Sequence, residues 1–324
     1  MRIWRVHELG EPADVLRLED ADPPSPGQGE VLVEVEAVGL NFPDLLMIRG
    51  GYQVKPMMPF TPGGELAGRV TALGEGVEGV SVGDRVASMG SGGLAEQVAV
   101  RAGGLLAVPE PMTATQAACV PVNYCTTWYA LHERAKLQVG ETMLVHAGAG
   151  GIGSSAIQLG QAMGATIFAT AGGPEKKAVL EKLGVDLAID YLSEDFVEVV
   201  KERTDGQGVD VIYDPVGGDT WDRSRKVIGW DGRMLVIGFT SGRIPDHPTN
   251  HVLLKNYSVV GVHWGASVAR FPDSVRQQWD ALCDLFAEGG IDPLVFREVP
   301  FEEVPAALTL LANRGTWGKV VVTP

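Results

Sequence analysis

Residues 144–165 read LVHAGAGGIGSSAIQLGQAMGA and place Gly148, Gly150 and Gly153 in a G-x-G-x-x-G pattern. The chain has 42 glycines in 324 residues, so the pattern gains meaning only from its flanks. TMLVHA, just before it, has the composition of a buried strand, and GIGSSAIQLGQAMGA carries small and apolar residues at helical spacing. A strand–turn–helix junction is where such glycines hold a pyrophosphate. There Gly148 permits the tight turn, Gly150 lets the backbone approach the phosphates, and Gly153 lets the helix pack on the strand. The helix start adds free N–H groups and the positive end of its dipole. The next strand runs out as FATAGGPEKK, whose tip (Thr170 to Gly173) carries no acid and is followed by Lys176 and Lys177. A carboxylate at this point would repel a ribose 2′-phosphate, whereas lysine attracts it, so the charges favour NADPH over NADH. Glu175, after Pro174, starts a helix, and Tyr191 closes the run LAIDY on the same rim.

Other residues offer chemistry with plainer alternatives beside it. Tyr52, in RGGYQVKP, sits in a loop where its phenol either binds a carbonyl oxygen, or protonates an enolate, or merely packs. His263 ends a strand run and reads as an acid or as a structural residue. Trp264, Phe42 and Tyr52 are candidates for an aromatic acceptor slot, and Cys125 reads as core.

Three textures must position these residues. Residues 1 to about 120 alternate in short runs (EVLVEVEAVGL, LAGRVTALG, DRVASMG, AEQVAV) punctuated by Gly and Pro, as antiparallel β-structure does. From 122 to 263, β-rich runs (TMLVHA, ATIFATA, DLAID, VDVIYD, RMLVIGF, SVVGVHW) alternate with helical segments near 152–163, 175–183, 194–203 and 219–228. Six strands with crossover helices make an α/β doubly wound parallel sheet. The tail adds an amphipathic helix near 273–288, two strand candidates and a further helix. Lys plus Arg is 26 against 41 acids, a net charge of −15, which disfavours nucleic acid and anionic membrane surfaces as partners. No apolar run spans a bilayer, and MRIWRVHELGEPADV lacks a signal-like apolar core. Three cysteines without C-x-x-C spacing suggest neither disulfides nor a zinc cluster and fit a cytoplasmic protein.

The motifs GLNFPDLLMIRGGY, PFTPGGELAGRV, GVSVGDRV, VHAGAGGIG, GVDVIYDPVGG and GKVVV together resemble the zinc-free quinone oxidoreductase (zeta-crystallin-like) family of the medium-chain dehydrogenase/reductase superfamily. The resemblance covers nearly the whole chain. It implies a six-stranded Rossmann domain (122–263) inserted in a GroES-like, β-rich catalytic domain (1–121 and 264–324). Where zinc-dependent relatives carry cysteine and histidine ligands, this chain has Asn41 and Gly64, and it lacks the four-cysteine lobe, so no zinc is expected. The resemblance assigns cofactor contacts to Asn41, Asp44, Tyr129, Gly151, Ile152, Gly172, Lys176, Tyr191, Phe239, Thr240, Ser241, Val262, His263, Trp264, Arg314 and Lys319. Asn41 either positions the nicotinamide ribose or the substrate oxygen or is only a turn residue, and the proton comes from Tyr52 or from solvent. Pro215 stands where some members have a small polar residue, so no contact is assigned there. The expected activity is hydride transfer from NADPH to a quinone. Alternatives are an enone or enoyl-thioester reductase, or an NADPH-binding protein without turnover. The edge strand expected at 257–264 is apolar on both faces and free of proline, which suggests a homodimer paired through it.

Overall fold

The computed structural model describes residues 1–90 and 92–324. It divides into two compact units, Met1–Val122 with Pro293–Pro324, and Asn123–Asp292.

The second unit is built on six parallel strands in spatial order Leu187–Asp190, Thr166–Ala171, Thr142–Val145, Val209–Asp214, Ile228–Val236, Ser258–Gly261. That is sequence order 3-2-1-4-5-6, which puts the topological switch between Thr142–Val145 and Val209–Asp214. The central strands are buried on both faces, so their runs are mostly apolar. Helices at Gly151–Ala162, Pro174–Lys182 and Phe196–Arg203 fall within two residues of the sequence expectation. The helix expected at 219–228 stops at Ser224 instead. The buried β-branched pair Val227 and Ile228 is recruited into sheet pairing, with Val209 N donating to Val227 O. Lys255 Nζ then serves the carbonyls of Arg225, Lys226 and Ile228.

Two further expectations need correction. The edge strand spans only Ser258–Gly261, not 257–264. Tyr257 turns inward to bond His247 Nε2 (2.7 Å) and His251 Nδ1 (3.2 Å), while His263 already begins the helix Trp264–Arg270. The second unit also runs 29 residues past 263. Trp264 Nε1 donates to Gln278 Oε1 (3.0 Å) and Gln278 Nε2 to Glu133 Oε1 (3.3 Å), which ties Asp273–Ala287 to the helical segment Asn123–Ala135.

The first unit carries a seven-stranded sheet in the order Val295–Pro300, Lys319–Thr323, Glu30–Gly39, Glu65–Leu73, Arg85–Met89, Leu106–Ala107, with Gln97–Arg101 also paired on Glu30–Gly39. Arg2–Val6 and Leu16–Asp20 form a separate hairpin. The strand Lys319–Thr323 lies parallel to Val295–Pro300 and antiparallel to Glu30–Gly39. Inward residues such as Val33, Val70, Val86, Phe301 and Val322 make the core.

Candidate functional site

The candidate residues fall in both units, most of them in the second. In the second unit, the turn after Thr142–Val145 is closed by Ala147 in the left-handed region (φ 50°), not by Gly148. Gly148 is needed for space: a Cβ there would lie 2.9 Å from Leu180 Cδ2 and 3.0 Å from Ala169 Cβ. Gly153 is needed for close helix packing, because its Cβ would meet Ala147 O at 2.2 Å. Gly150 differs, since a Cβ there would have only Ala147 O nearby, at 3.3 Å. It is the N-cap of Gly151–Ala162, and among the described residues no side-chain cap bond closes this helix start. Gly151, Ile152 and Gly153 thus present the uncapped first turn of a 12-residue helix, the arrangement that binds phosphate.

Buried hydroxyls anchor that helix from behind. Thr127 Oγ1 lies 2.8 Å from Ser155 Oγ and 2.9 Å from Tyr213 OH, and burial raises the Tyr213 phenol far above its usual range. His146, absent from the sequence reading, is fully buried between Thr170 Oγ1 (3.0 Å) and Ser224 Oγ (2.8 Å). Ser224 gives its own proton to Thr220 O (2.7 Å), so His146 donates through Nε2 and accepts at Nδ1. Burial pushes its pKa down to about 3, so it remains a neutral brace joining two strand tips and a helix.

At the tip of Thr166–Ala171, Gly172 and Tyr191 are in contact, and a Cβ on Gly172 would sit 2.6 Å from the Tyr191 oxygen. Lys176 is partly exposed on the first turn of Pro174–Lys182, whereas Lys177 pairs with Glu194 at 2.8 Å. Asp190 was also missed. Its carboxylate accepts from Gly173 N (2.7 Å) and Leu192 N (3.0 Å), which hold its pKa below the ordinary value. Past Ile228–Val236, Thr240 N donates to Pro215 O (3.1 Å) and Ser241 N to Val216 O (3.0 Å), so Phe239, Thr240 and Ser241 fold onto the loop after Asp214. Pro215 thus pins this loop through its carbonyl. Asp214 Oδ1 takes Val216 N (2.6 Å) and Gly217 N (3.0 Å), but its buried Oδ2 has no partner among the described residues. Burial lifts the Asp214 pKa to about 6. Val262 and Tyr129 are partly exposed, and His263 is exposed. Trp264 is buried with its N–H committed to Gln278, which removes it from an open aromatic slot.

The first unit assembles Asn41, Asp44 and Tyr52, and adds Glu65, which sequence reading did not single out. Asp44 is fully buried; Oδ2 accepts from Asn41 N (2.8 Å) and Oδ1 from Gly63 N (3.2 Å). Burial raises its pKa to about 6 against the pull of those bonds and of Lys319. Tyr52 is partly buried, and burial together with the Asp44 charge raises its pKa, so the phenol keeps its proton at neutral pH. Phe42 is partly buried and packs against the core. Lys319 is 4 % exposed, and its ammonium donates to Leu40 O, Asn41 Oδ1 and Glu65 Oε1. These three bonds use all its protons, which corrects the expectation of a direct cofactor contact. Arg314, five residues earlier, is exposed on a left-handed turn (φ 56°), well separated in environment from Lys319.

Residues 27–110 match the alcohol dehydrogenase GroES-like domain and residues 151–288 the zinc-binding dehydrogenase family. A quinone oxidoreductase-like protein 2 homolog of Nematostella vectensis is 36% identical over 99% of this chain and 88% of its own length. The solved quinone oxidoreductase of Escherichia coli complexed with NADPH is 30% identical, with a TM-score of 0.93 over the whole of both chains. The CurK enoyl reductase structure is 32% identical, with a TM-score of 0.89, over 99% of this chain and 98% of that one. The chain belongs to the quinone oxidoreductase-like group of the medium-chain dehydrogenase/reductase superfamily.

Membership in this superfamily points to an oxidoreductase that binds a nicotinamide cofactor. The glycine-cradled helix start fits a pyrophosphate sterically and electrostatically. The description of one matched family names zinc. Among the described residues no group of three His, Cys, Asp or Glu side chains is placed to hold a metal. At Gly64 a Cβ would have 3.6 Å to its nearest neighbour, so a side chain would fit, but the sequence supplies none.

Proposed function

We propose that this chain is a zinc-independent, NADPH-dependent reductase of quinones. The observation that carries the reading is the uncapped, glycine-cradled helix start combined with a second-strand tip that has Lys176 and no acid. Gly150, Gly151 and Ile152 receive the pyrophosphate. Gly172, Lys176 and Tyr191 receive the 2′-phosphate. Phe239 to Ser241, Val262, His263 and Tyr129 follow along the carboxyl edge of the sheet. The bound cofactor supplies the hydride. Asn41 positions it and Tyr52, whose proton is retained, serves as the proton donor. Without a metal to polarise an alcohol or carbonyl, the chemistry suits an acceptor that takes hydride readily.

A second reading, reduction of an enone or enoyl thioester, is favoured by the likeness to the CurK enoyl reductase and by a protonated phenol suited to an enolate. NADPH oxidation measured against a panel of quinones, enones and enoyl-CoA esters, with and without a chelator, separates the two. Quinone turnover untouched by the chelator is expected. Turnover of enoyl esters alone would replace the first reading with the second, and activity restored by zinc would overturn the metal-free one. Absence of turnover with intact NADPH binding would point to a binding protein.

We further propose a homodimer formed through Ser258–Gly261. Val259 is exposed at this edge, as are Leu253 and Leu254 on the preceding helix. Arg134 Nε donates to Gly261 O (3.0 Å) and guards one end of the strand.

A further inference from the structure

We propose that Lys319 and Glu65 are positioning residues that fix which way the Asn41 carboxamide faces, so that Asn41 offers a ligand an acceptor and no donor. The inference rests on Asn41 facing the cofactor, as proposed above. Lys319 Nζ lies 2.7 Å from Asn41 Oδ1, 2.6 Å from Glu65 Oε1 and 2.9 Å from Leu40 O. Asn41 Nδ2 donates to Glu65 Oε1 (2.8 Å) and Gly39 O (3.1 Å). Glu65 is itself held, because its Oε2 accepts from Val122 N at 2.8 Å. The backbone of Asn41 is fixed separately by Asp44.

A carboxamide is nearly symmetric in shape and ordinarily free to turn over. Here a turn would set Oδ1 against the Gly39 carbonyl and the Glu65 carboxylate, and Nδ2 against an ammonium. Three bonds would become three repulsions in a buried site, where such losses are greatest. With both amide protons committed, Asn41 has no donor left to offer; what it can present is Oδ1, which accepts from Lys319 and faces the first turn of Phe42–Ile48 in a capping box with Asp44. Its partner must be a donor, such as a sugar hydroxyl. A substrate carbonyl oxygen, itself an acceptor, is excluded. Of the two roles open to Asn41, the geometry therefore selects the ribose.

The test compares Asn41→Ala, the paired variant Lys319→Met/Glu65→Gln, and the triple variant. The paired change removes both charges together, so no buried ion is left unpaired. Glu65→Gln alone is an additional arm, because its amide cannot accept from both Val122 and Lys319 and Asn41. Folding is checked by circular dichroism and thermal melting. Fluorescence titration gives the NADPH Kd, and kcat/KM for the acceptor is measured at saturating NADPH. Asn41→Ala is expected to weaken NADPH roughly tenfold, the worth of one hydrogen bond. The paired variant should match it in NADPH Kd, and the triple should lose nothing more. A paired variant and a Glu65→Gln variant that bind NADPH like the wild type, or losses that multiply in the triple, would overturn the positioning role alone. Unchanged Kd in Asn41→Ala would overturn the cofactor-facing reading and the proposal with it.

Discussion

Gly150→Ala and Gly153→Ala should fail in different ways. At 153 the added methyl would lie 2.2 Å from Ala147 O and 2.7 Å from Gly148 Cα, both rigid backbone atoms. Contacts between carbon atoms are optimal near 3.5–4.0 Å, so the helix must withdraw by about 1 Å. Overpacking of this kind costs about 1–3 kcal/mol, of which alanine's better helix propensity returns up to about 1 kcal/mol. A net loss of about 1–2 kcal/mol lowers Tm by roughly 2–8 °C in a unit of this size. At 150 the methyl meets only Ala147 O, at 3.3 Å, and φ is −81°, which alanine adopts freely. Stability should stay within about 1 kcal/mol of the wild type, as for a substitution that breaks no packing. The methyl instead occupies the approach to the uncapped N–H groups, and an obstruction of about 1–3 kcal/mol weakens NADPH on the order of 10- to 100-fold. Scanning calorimetry without cofactor and fluorescence titration with NADPH measure the two effects separately. An alanine at 150 that binds NADPH normally would refute the phosphate cradle. An unchanged Tm for the alanine at 153 would refute the packing argument.

Lys176→Ala should raise KM for NADPH and leave KM for NADH nearly unchanged in steady-state assays; equal losses would remove Lys176 as the 2′-phosphate reader. Asp214 has a folded pKa of about 6, above the usual carboxyl value, so the stability it lends is complete at low pH and declines as pH rises through 6. Asp214→Asn should therefore gain on the wild type by about 1 kcal/mol between pH 5 and pH 7.5 in urea titrations, and a pH-independent difference would contradict the shift. Light scattering at micromolar concentration should give twice 34.4 kDa, reduced toward 34.4 kDa by Val260→Lys. A monomeric wild type, or a dimer indifferent to the lysine, would move the interface elsewhere.

The second unit was largely legible because its signals are local. Gly148, Gly150 and Gly153 lie between a strand and a helix only a few residues away, and alternation of the two element types gives the sheet. The reason offered for Gly148 was nonetheless wrong, since left-handed backbone falls on Ala147, whose type carries no such signal. The unit boundary also escaped. An amphipathic helix was visible near 273–288, but amphipathicity does not name the surface that receives it; Trp264 and Gln278 do so only once folded. Glu65 and Lys319 are 254 residues apart, so their pairing was invisible. A clue existed in each run: a charge at an inward position of ELAGRV and of KVVV demands a buried counter-charge. Asp214 and Asp190 escaped because their burial and backbone partners arise only when loops from different strands converge.

The insertion of Lys319–Thr323 between Val295–Pro300 and Glu30–Gly39 has a consequence for biogenesis. A chain emerging from the ribosome has residues 123–292 available long before 319–323, so the second unit can complete its sheet while the first still lacks an interior strand. Until that strand arrives, Val38 and Gly39 have no backbone partners at Val322 and Val321, and Glu65 has no ammonium beside it. Closing the first unit early would trap a carboxylate in an apolar core, an outcome the physics of burial opposes. The same lysine that bonds Asn41 and Glu65 thus supplies the charge that lets the first unit close, and it arrives only with the second of that unit's separated segments.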